Sequence, residues 1–215
     1  MQASPNLFES AFAQLPLVAI LRGILPQEVE AIAMRLYAEG FRLIEVPMNS
    51  PQALESIALL KRCLPADALL GAGTVLSAAV VQQVRDAGGS LIVMPHADVN
   101  VIAAAKQAGM FCVPGVATMT EAFAAYHAGA DALKLFPAEL VTPVVVKAMR
   151  AVLPPALALL PVGGITPDGM QEYLRAGAKG FGLGSALFAP GMDAEQVGQR
   201  ANNFVSAWKV LKSAA

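Results

Sequence analysis

The stretch SLIVMPHADVNVIAAAKQAGMFCVP, Ser90 to Pro114, decides the fold. It opens on a short apolar run, SLIVM, and closes on another, MFCVP. Each is too short for a helix of a globular core and is bounded by turn residues, as a strand covered on both faces is. Between them, DVNVIAAAKQAG has helical periodicity and closes on Ala108-Gly109, a helix C-cap ending. Two short strands joined by a helix form a parallel β-α-β unit.

The same unit recurs outward in both directions. Candidate strands are LVAIL (17–21), RLIEV (42–46), LLGAG (69–73), SLIVM (90–94), MFCVP (110–114), ALKLF (132–136), ALLPV (158–162) and GFGLG (180–184). Helical patterns separate them. One begins with Pro26 and closes with Gly40; the next has Ser50 as the expected N-cap and Pro51 at N1. Ala87-Gly88, Ala108-Gly109, Ala128-Gly129 and Ala176-Gly177 repeat one helix ending. Eight β-then-α units in 215 residues predict a (β/α)8 TIM barrel forming a single domain over residues 1–215, with an extra N-terminal helix before Leu15. The competitor is a doubly wound open sheet. The GAG at Gly71–Gly73 lacks the full dinucleotide-binding spacing, because position 76 is Leu76.

Composition narrows the function. The chain is 56% hydrophobic and 14% charged, which predicts a large core and surface buried between subunits. A net charge of −1 argues against a general nucleic-acid or anionic-membrane binder. The start of the chain carries no basic region followed by an apolar run, and no apolar run reaches the length of a membrane span; a cytoplasmic protein is expected. Cys63 and Cys112 are too far apart for a metal motif and read as buried structural thiols. No His/Cys/Asp/Glu spacing suggests a metal, and no cofactor is expected.

Active sites of such barrels lie at the C-terminal ends of the strands, so charges there are informative. Lys134 sits inside Ala132-Leu133-Lys134-Leu135-Phe136 and shares the parity of Ala132 and Phe136. Lysine is almost never fully buried unpaired. Desolvation lowers its pKa and frees the amine as a nucleophile, which forms Schiff bases with carbonyl compounds. Glu45, inside the second strand, is a carboxylate suited to the proton transfers an imine requires. Its structural reading is an ion-pair partner for Lys134 or Arg22. Arg22, just after the first strand, can grip a phosphate or carboxylate, or pair with Glu45. Gly163 and Gly164 end the seventh strand, Gly184 and Ser185 the eighth. Loops at those two places bind phosphate in many barrels. Thr74 follows the third strand, where its hydroxyl can bind a carboxylate or make a local turn. Lys179 is the nearby cation, expected on the far side of its strand. His96 reads as a loop residue and His127 as a helix-terminal one.

Seven segments, AILRGI, IEVPMNSP, GAGTVL, VPGVATMTEA, ALKLFPAE, VGGITP and GLGSALF, occur in this order. Together they resemble the class I aldolases of 2-keto-3-deoxy-6-phospho sugar acids, from about Leu15 to the C-terminus. The resemblance implies an α/β barrel, usually a homotrimer, that reversibly cleaves a phosphorylated keto sugar acid to pyruvate and D-glyceraldehyde 3-phosphate. It implies Lys134 as the Schiff-base lysine, Glu45 as the proton shuttle, Arg22 and Thr74 as substrate contacts, and Gly164 and Ser185 at the phosphate end. Two departures from the gluconate-type pattern are similar to the galactonate branch. Val46-Pro47-Met48-Asn49 contains no arginine, and Val162 stands where a threonine is usual. The missing arginine leaves the group that binds the pyruvate carboxylate open. His96 stands where that branch is expected to have asparagine. The gluconate epimer, or both epimers, is the alternative substrate. A non-catalytic sugar-phosphate-binding barrel and a lyase for a non-phosphorylated keto acid are the other readings.

Overall fold

The structure, a computed structural model, describes residues 6–213. Nine strands are found among them. They are β1 (Leu17–Ile20), β2 (Leu43–Pro47), β3 (Leu69–Gly73), β4 (Leu91–Val93), β5 (Phe111–Val113), β6 (Gly115–Val116), β7 (Ala132–Leu135), β8 (Ala158–Pro161) and β9 (Phe181–Leu183). All eight expected strands appear. The fifth is divided into β5 and β6, because Pro114 has no N–H to give to a ladder.

Every observed pairing is parallel. One sheet has the order β5-β4-β3-β2-β1-β9 and the other β6-β7-β8. Backbone bonds connect them. Asp131 N–H donates to the Cys112 carbonyl at 3.0 Å, and Val162 and Gly182 form a parallel bridge. The result is a curled parallel sheet.

Helices α1 (Leu7–Gln14), α2 (Pro26–Ala38), α3 (Ala53–Cys63), α4 (Ala78–Asp86), α5 (Val99–Gln107), α6 (Met119–His127), α7 (Pro143–Arg150), α8 (Met170–Arg175) and α9 (Ala194–Ser213) separate or flank the strands. Pro26 does open α2, and Glu28 closes the first turn by accepting the Leu25 N–H. The recurring Ala-Gly endings are helix C-caps, with Gly88, Gly109, Gly129 and Gly177 in left-handed backbone.

Two expectations are corrected. Ser50 is not an N-cap. Its buried hydroxyl accepts the Gly23 N–H at 2.9 Å and so links the loops after β1 and β2, while α3 starts later, after Gln52. The pattern TPDGMQEYLRAG over 166–177, which reads in the sequence as one helix, shrinks to α8, because the chain after Gly164 first makes turns through Thr166 and Gly169.

Strand alternation sorts the core into two clusters. Leu17, Ala19, Ile44, Val46, Leu133 and Leu135 pack outward with the helices. Val18, Leu43, Leu69, Leu91, Ala132 and Leu160 point to the concave side, where Phe8 and Ala11 of α1 join them. The period of two along a strand produces this division. It also sends Glu45 and Lys134 inward, since they share the parity of Leu43 and Ala132. Among the described residues, no helix is long and apolar enough to cross a membrane.

Candidate active site

Glu45 and Lys134 are buried, at 1% and 5% exposure. They line the same small interior chamber, whose other walls are apolar and include Phe8, Val18, Ile20 and Leu160. The ion pairs among the described residues, such as Lys106–Asp131, do not include Lys134 with Glu45 or Arg22 with Glu45. The simple structural reading of Glu45 as a salt-bridged carboxylate therefore fails.

Burial dominates both groups. It pushes the Glu45 carboxyl up to about 7, against the opposing pull of the Lys134 and Arg22 charges. It also pushes the Lys134 ammonium down, with Glu45 opposing and Arg22 assisting. Desolvation disfavours whichever form is charged, so acid and amine are both drawn towards neutrality. Glu45 Oε2 is buried without a hydrogen-bond partner. Lys134 Nζ lies 4.8 Å from the centre of the Phe136 ring, which stabilises its charged form.

The space Glu45 occupies is provided by a glycine. A Cβ on Gly73 would lie 1.8 Å from Glu45 Oε2. Position 73 must therefore have no side chain for the carboxyl to sit where it does.

Above this pair opens a cleft with about 530 Å³ of free space. Arg22, Lys134, Phe136, Val162, Gly163, Gly164, Gly184 and Ser185 all line it. The sequence-derived candidates Lys134, Arg22, Val162 and both glycine loops thus converge, with Glu45 in the chamber just below. Gly163 and Gly164 have φ of +112° and +61°, a backbone path that suits glycine. A Cβ on Gly163 would also lie 2.7 Å from the Glu139 carboxylate.

Arg22 is exposed at the cleft edge and does not pair with Glu45. Its Nη1 donates to Asn49 Oδ1 at 2.7 Å and to Thr74 Oγ1 at 3.4 Å. Thr74 has φ +54°, an uncommon left-handed conformation for a β-branched residue and one that concentrates at functional sites. The expectation for Lys179 holds. Its N–H pairs with Leu159 at the start of β9, at the opposite end from Gly184. His96 is exposed and does not line the cleft. Cys112 is buried, its thiol pushed up to about 12 by desolvation, whereas Cys63 is only half-buried at the end of α3.

Four neighbours were missed from the sequence. Asn49 is marked in the sequence only by not being arginine. Phe136 shares the parity of Lys134, and that is the signal in the sequence that its ring lies beside the amine. Glu139 and Arg200 carried no local signal. Glu139 is placed against the glycine pair by the loop after β7, and Arg200 of α9 reaches the Ser185 carbonyl at 3.0 Å. Among the described residues, no three His, Cys, Asp or Glu side chains gather as a metal site would require.

An amine and a carboxyl drawn towards neutrality under an open cleft can perform nucleophilic addition to a carbonyl and proton transfer. Known proteins agree with this chemistry. A probable 2-dehydro-3-deoxy-6-phosphogalactonate aldolase of Rhizobium meliloti (strain 1021) is 46% identical over 91% of this chain and 92% of its own length. The 2-dehydro-3-deoxy-6-phosphogalactonate aldolase of Escherichia coli (strain K12) is 44% identical over 91% of this chain and 96% of its own. A solved structure described as native KDPGal superposes with a TM-score of 0.91 at 43% identity, covering 93% of this chain and 97% of that one. The family model for KDPG and KHG aldolase matches residues 8–200, and the chain belongs to that family.

Proposed function

We propose that the protein is a class I aldolase that cleaves 2-dehydro-3-deoxy-6-phospho-D-galactonate to pyruvate and D-glyceraldehyde 3-phosphate. The observation that carries this reading is the shared burial of Lys134 and Glu45 on the concave face, directly beneath the glycine-lined cleft. The neutral Lys134 amine attacks the C2 carbonyl carbon. The carbonyl oxygen leaves as water and a cationic imine remains. Glu45 as carboxylate removes the C4 hydroxyl proton. The C3–C4 bond breaks, its electron pair flows to the imine nitrogen, and the aldehyde departs. The resulting enamine takes a proton at C3 from Glu45, and water releases pyruvate. A carboxyl that titrates near 7 can both accept and return that proton at neutral pH.

Arg22 and Thr74 contact the substrate. The Gly163–Gly164 and Gly184–Ser185 loops receive the phosphate through backbone N–H groups. The two sheets form a closed (β/α)8 barrel in a single domain over residues 1–215. The Asp131–Cys112 bond at one seam and the Val162–Gly182 bridge at the other support that closure. The chain works as a cytoplasmic homotrimer. Large exposed apolar side chains, among them Leu140 at 64% and Val144 at 79%, support subunit burial.

Val162 favours the galactonate epimer as main substrate and leaves room for the gluconate epimer. An apolar wall discriminates a hydroxyl's orientation weakly, whereas a hydrogen-bonding one can reject it strongly. The test has two parts. Pyruvate and borohydride should label Lys134, as mapped by mass spectrometry, and an unlabelled Lys134 rejects the mechanism. Steady-state assays should give the larger kcat/KM for the galactonate epimer, with Val162→Thr moving the ratio towards gluconate. An unchanged ratio in that variant removes Val162 from epimer choice.

A further inference from the structure

We propose that Arg200 is a positioning residue for the aldehyde-phosphate half of the substrate: from α9, outside the cleft, it fixes the Ser185–Ala186 peptide so that the Ala186 N–H faces the phosphate. This deepens the aldolase reading above and rests on it. Ser185 and Ala186 line the cleft, and Arg200 does not. Arg200 Nη1 donates to the Ser185 carbonyl at 3.0 Å. The carbonyl is thereby drawn towards α9, whose Val197, Ala201 and Phe204 pack in the outer core with the helices. The Ser185–Ala186 peptide is trans and planar, so its N–H points opposite to its C=O. A carbonyl held outward turns the Ala186 N–H inward.

That N–H is free to act. Leu187 and Phe188 donate their N–H groups to the Gly184 carbonyl at 2.8 and 3.0 Å, whereas those of Ser185 and Ala186 make no hydrogen bond among the described residues. A Cβ on Gly184 would meet nothing within 4 Å, so packing does not demand a glycine there, whereas close approach of a ligand to the backbone does. The platform behind the loop is fixed. Glu195 of α9 pairs with Arg35 of α2 at 3.2 Å, and Asn202 of α9 donates to Glu39 at 3.2 Å. Arg200 lies between these two anchors. Among the described residues it joins no ion pair, so no carboxylate cancels its charge. A guanidinium on the carbonyl oxygen also polarises the peptide, and hydrogen bonds in a chain strengthen one another. One bond from α9 therefore aims the Ala186 N–H and makes it a better donor to an anion.

The test is the synthetic direction with two acceptors, D-glyceraldehyde 3-phosphate and D-glyceraldehyde, which differ only in the phosphate. Arg200→Ala should raise KM for the phosphorylated aldehyde about tenfold, the loss of one hydrogen bond to a charged group. kcat/KM for D-glyceraldehyde and KM for pyruvate should stay unchanged, because neither molecule carries the phosphate. Inorganic phosphate, competing with the phosphorylated aldehyde, should lose potency as an inhibitor by the same factor. Arg200→Lys keeps a cationic donor on a flexible stem and should recover most of the loss. Equal losses for the two aldehydes in Arg200→Ala show that Arg200 only supports the fold. An unchanged KM for the phosphorylated aldehyde shows that the peptide keeps its orientation without Arg200. Either result overturns the proposal. Borohydride trapping of pyruvate on the native protein keeps the readings apart. No adduct on Lys134 defeats the aldolase reading itself. An adduct together with either of those two results defeats only the role of Arg200.

Discussion

Glu45 shows how one residue couples stability to chemistry. Its carboxyl is raised to about 7 in the fold by burial, above the ordinary 4.5. Between those values the folded chain holds a proton that the unfolded chain has released. Stability attributable to this site is therefore complete below about pH 4.5 and declines as pH rises through 7. Glu45→Gln should remove that decline, so thermal melts at pH 5 and pH 8 should differ less than in the native protein. The same variant should lose about 10²–10⁴-fold in deuterium exchange into pyruvate, because an amide cannot cycle a proton. A variant exchanging at the native rate removes Glu45 from proton transfer. Lys134 has the opposite sign, since its pKa is lowered. Its burial penalty is largest at low pH and is relieved as pH passes upward through the folded value.

At the scale of elements, the ends of β8 and β9 position the second half of the site. Ala138 N–H donates to the Val162 carbonyl, and Tyr173 O–H to the Ala138 carbonyl, both at 2.9 Å. These bonds lock the loop after β7 to the end of β8, so the Gly163–Gly164 turn is held at a set height above Lys134. Gly164 has φ +61°, and a Cβ there would lie 3.1 Å from Glu139. Gly164→Val should raise KM for the phosphorylated substrate by tenfold or more, roughly the loss of a well-placed charged contact, while pyruvate still forms its imine. Equal loss of both would mean that the turn supports the whole concave face. Arg200, bonded to the Ser185 carbonyl, fastens the second loop to α9 in the same manner.

For the whole molecule, the feature that matters is the plug beneath Glu45 and Lys134. Asn6 and Glu9 make a capping box that starts α1, and α1 presents Phe8 to the concave cluster. Phe8 stacks on Phe12 and Phe111 with ring centres 5.5 and 5.7 Å apart, and it lines the chamber that Lys134 and Glu45 share. Water is thereby kept from one side of both groups, and that exclusion underlies their shifted acidities. Phe8→Ala should lower stability by about 3 kcal/mol, as large-to-small core changes do. It should also return the pH dependence of pyruvate exchange towards a lower carboxyl value, as the chamber becomes wetter. A melt shifted in this way with an unchanged pH profile would show that the plug serves stability alone.

The parallel β-α alternation, the inward parity of Lys134 and the two glycine loops were legible in the residues alone. Each depends on local periodicity or on the special backbone freedom of glycine, and neighbouring residues suffice to express it. Glu45 was legible as a charge in an apolar strand, but its burial without an ion-pair partner was not. That outcome depends on the absent Cβ of Gly73, on a different strand. The split of the fifth strand at Pro114 was visible in principle, because a proline cannot donate. The failure of Ser50 to cap α3 was not, since its hydroxyl is claimed by Gly23, 27 positions away in the chain. Arg22 had several possible partners in the sequence, and the strand order chose Asn49 and Thr74. Local pattern determined which elements form and which faces they bury. Curling the sheet decided which side chains meet, because those meetings join residues far apart in the chain and only strand order and register bring them together.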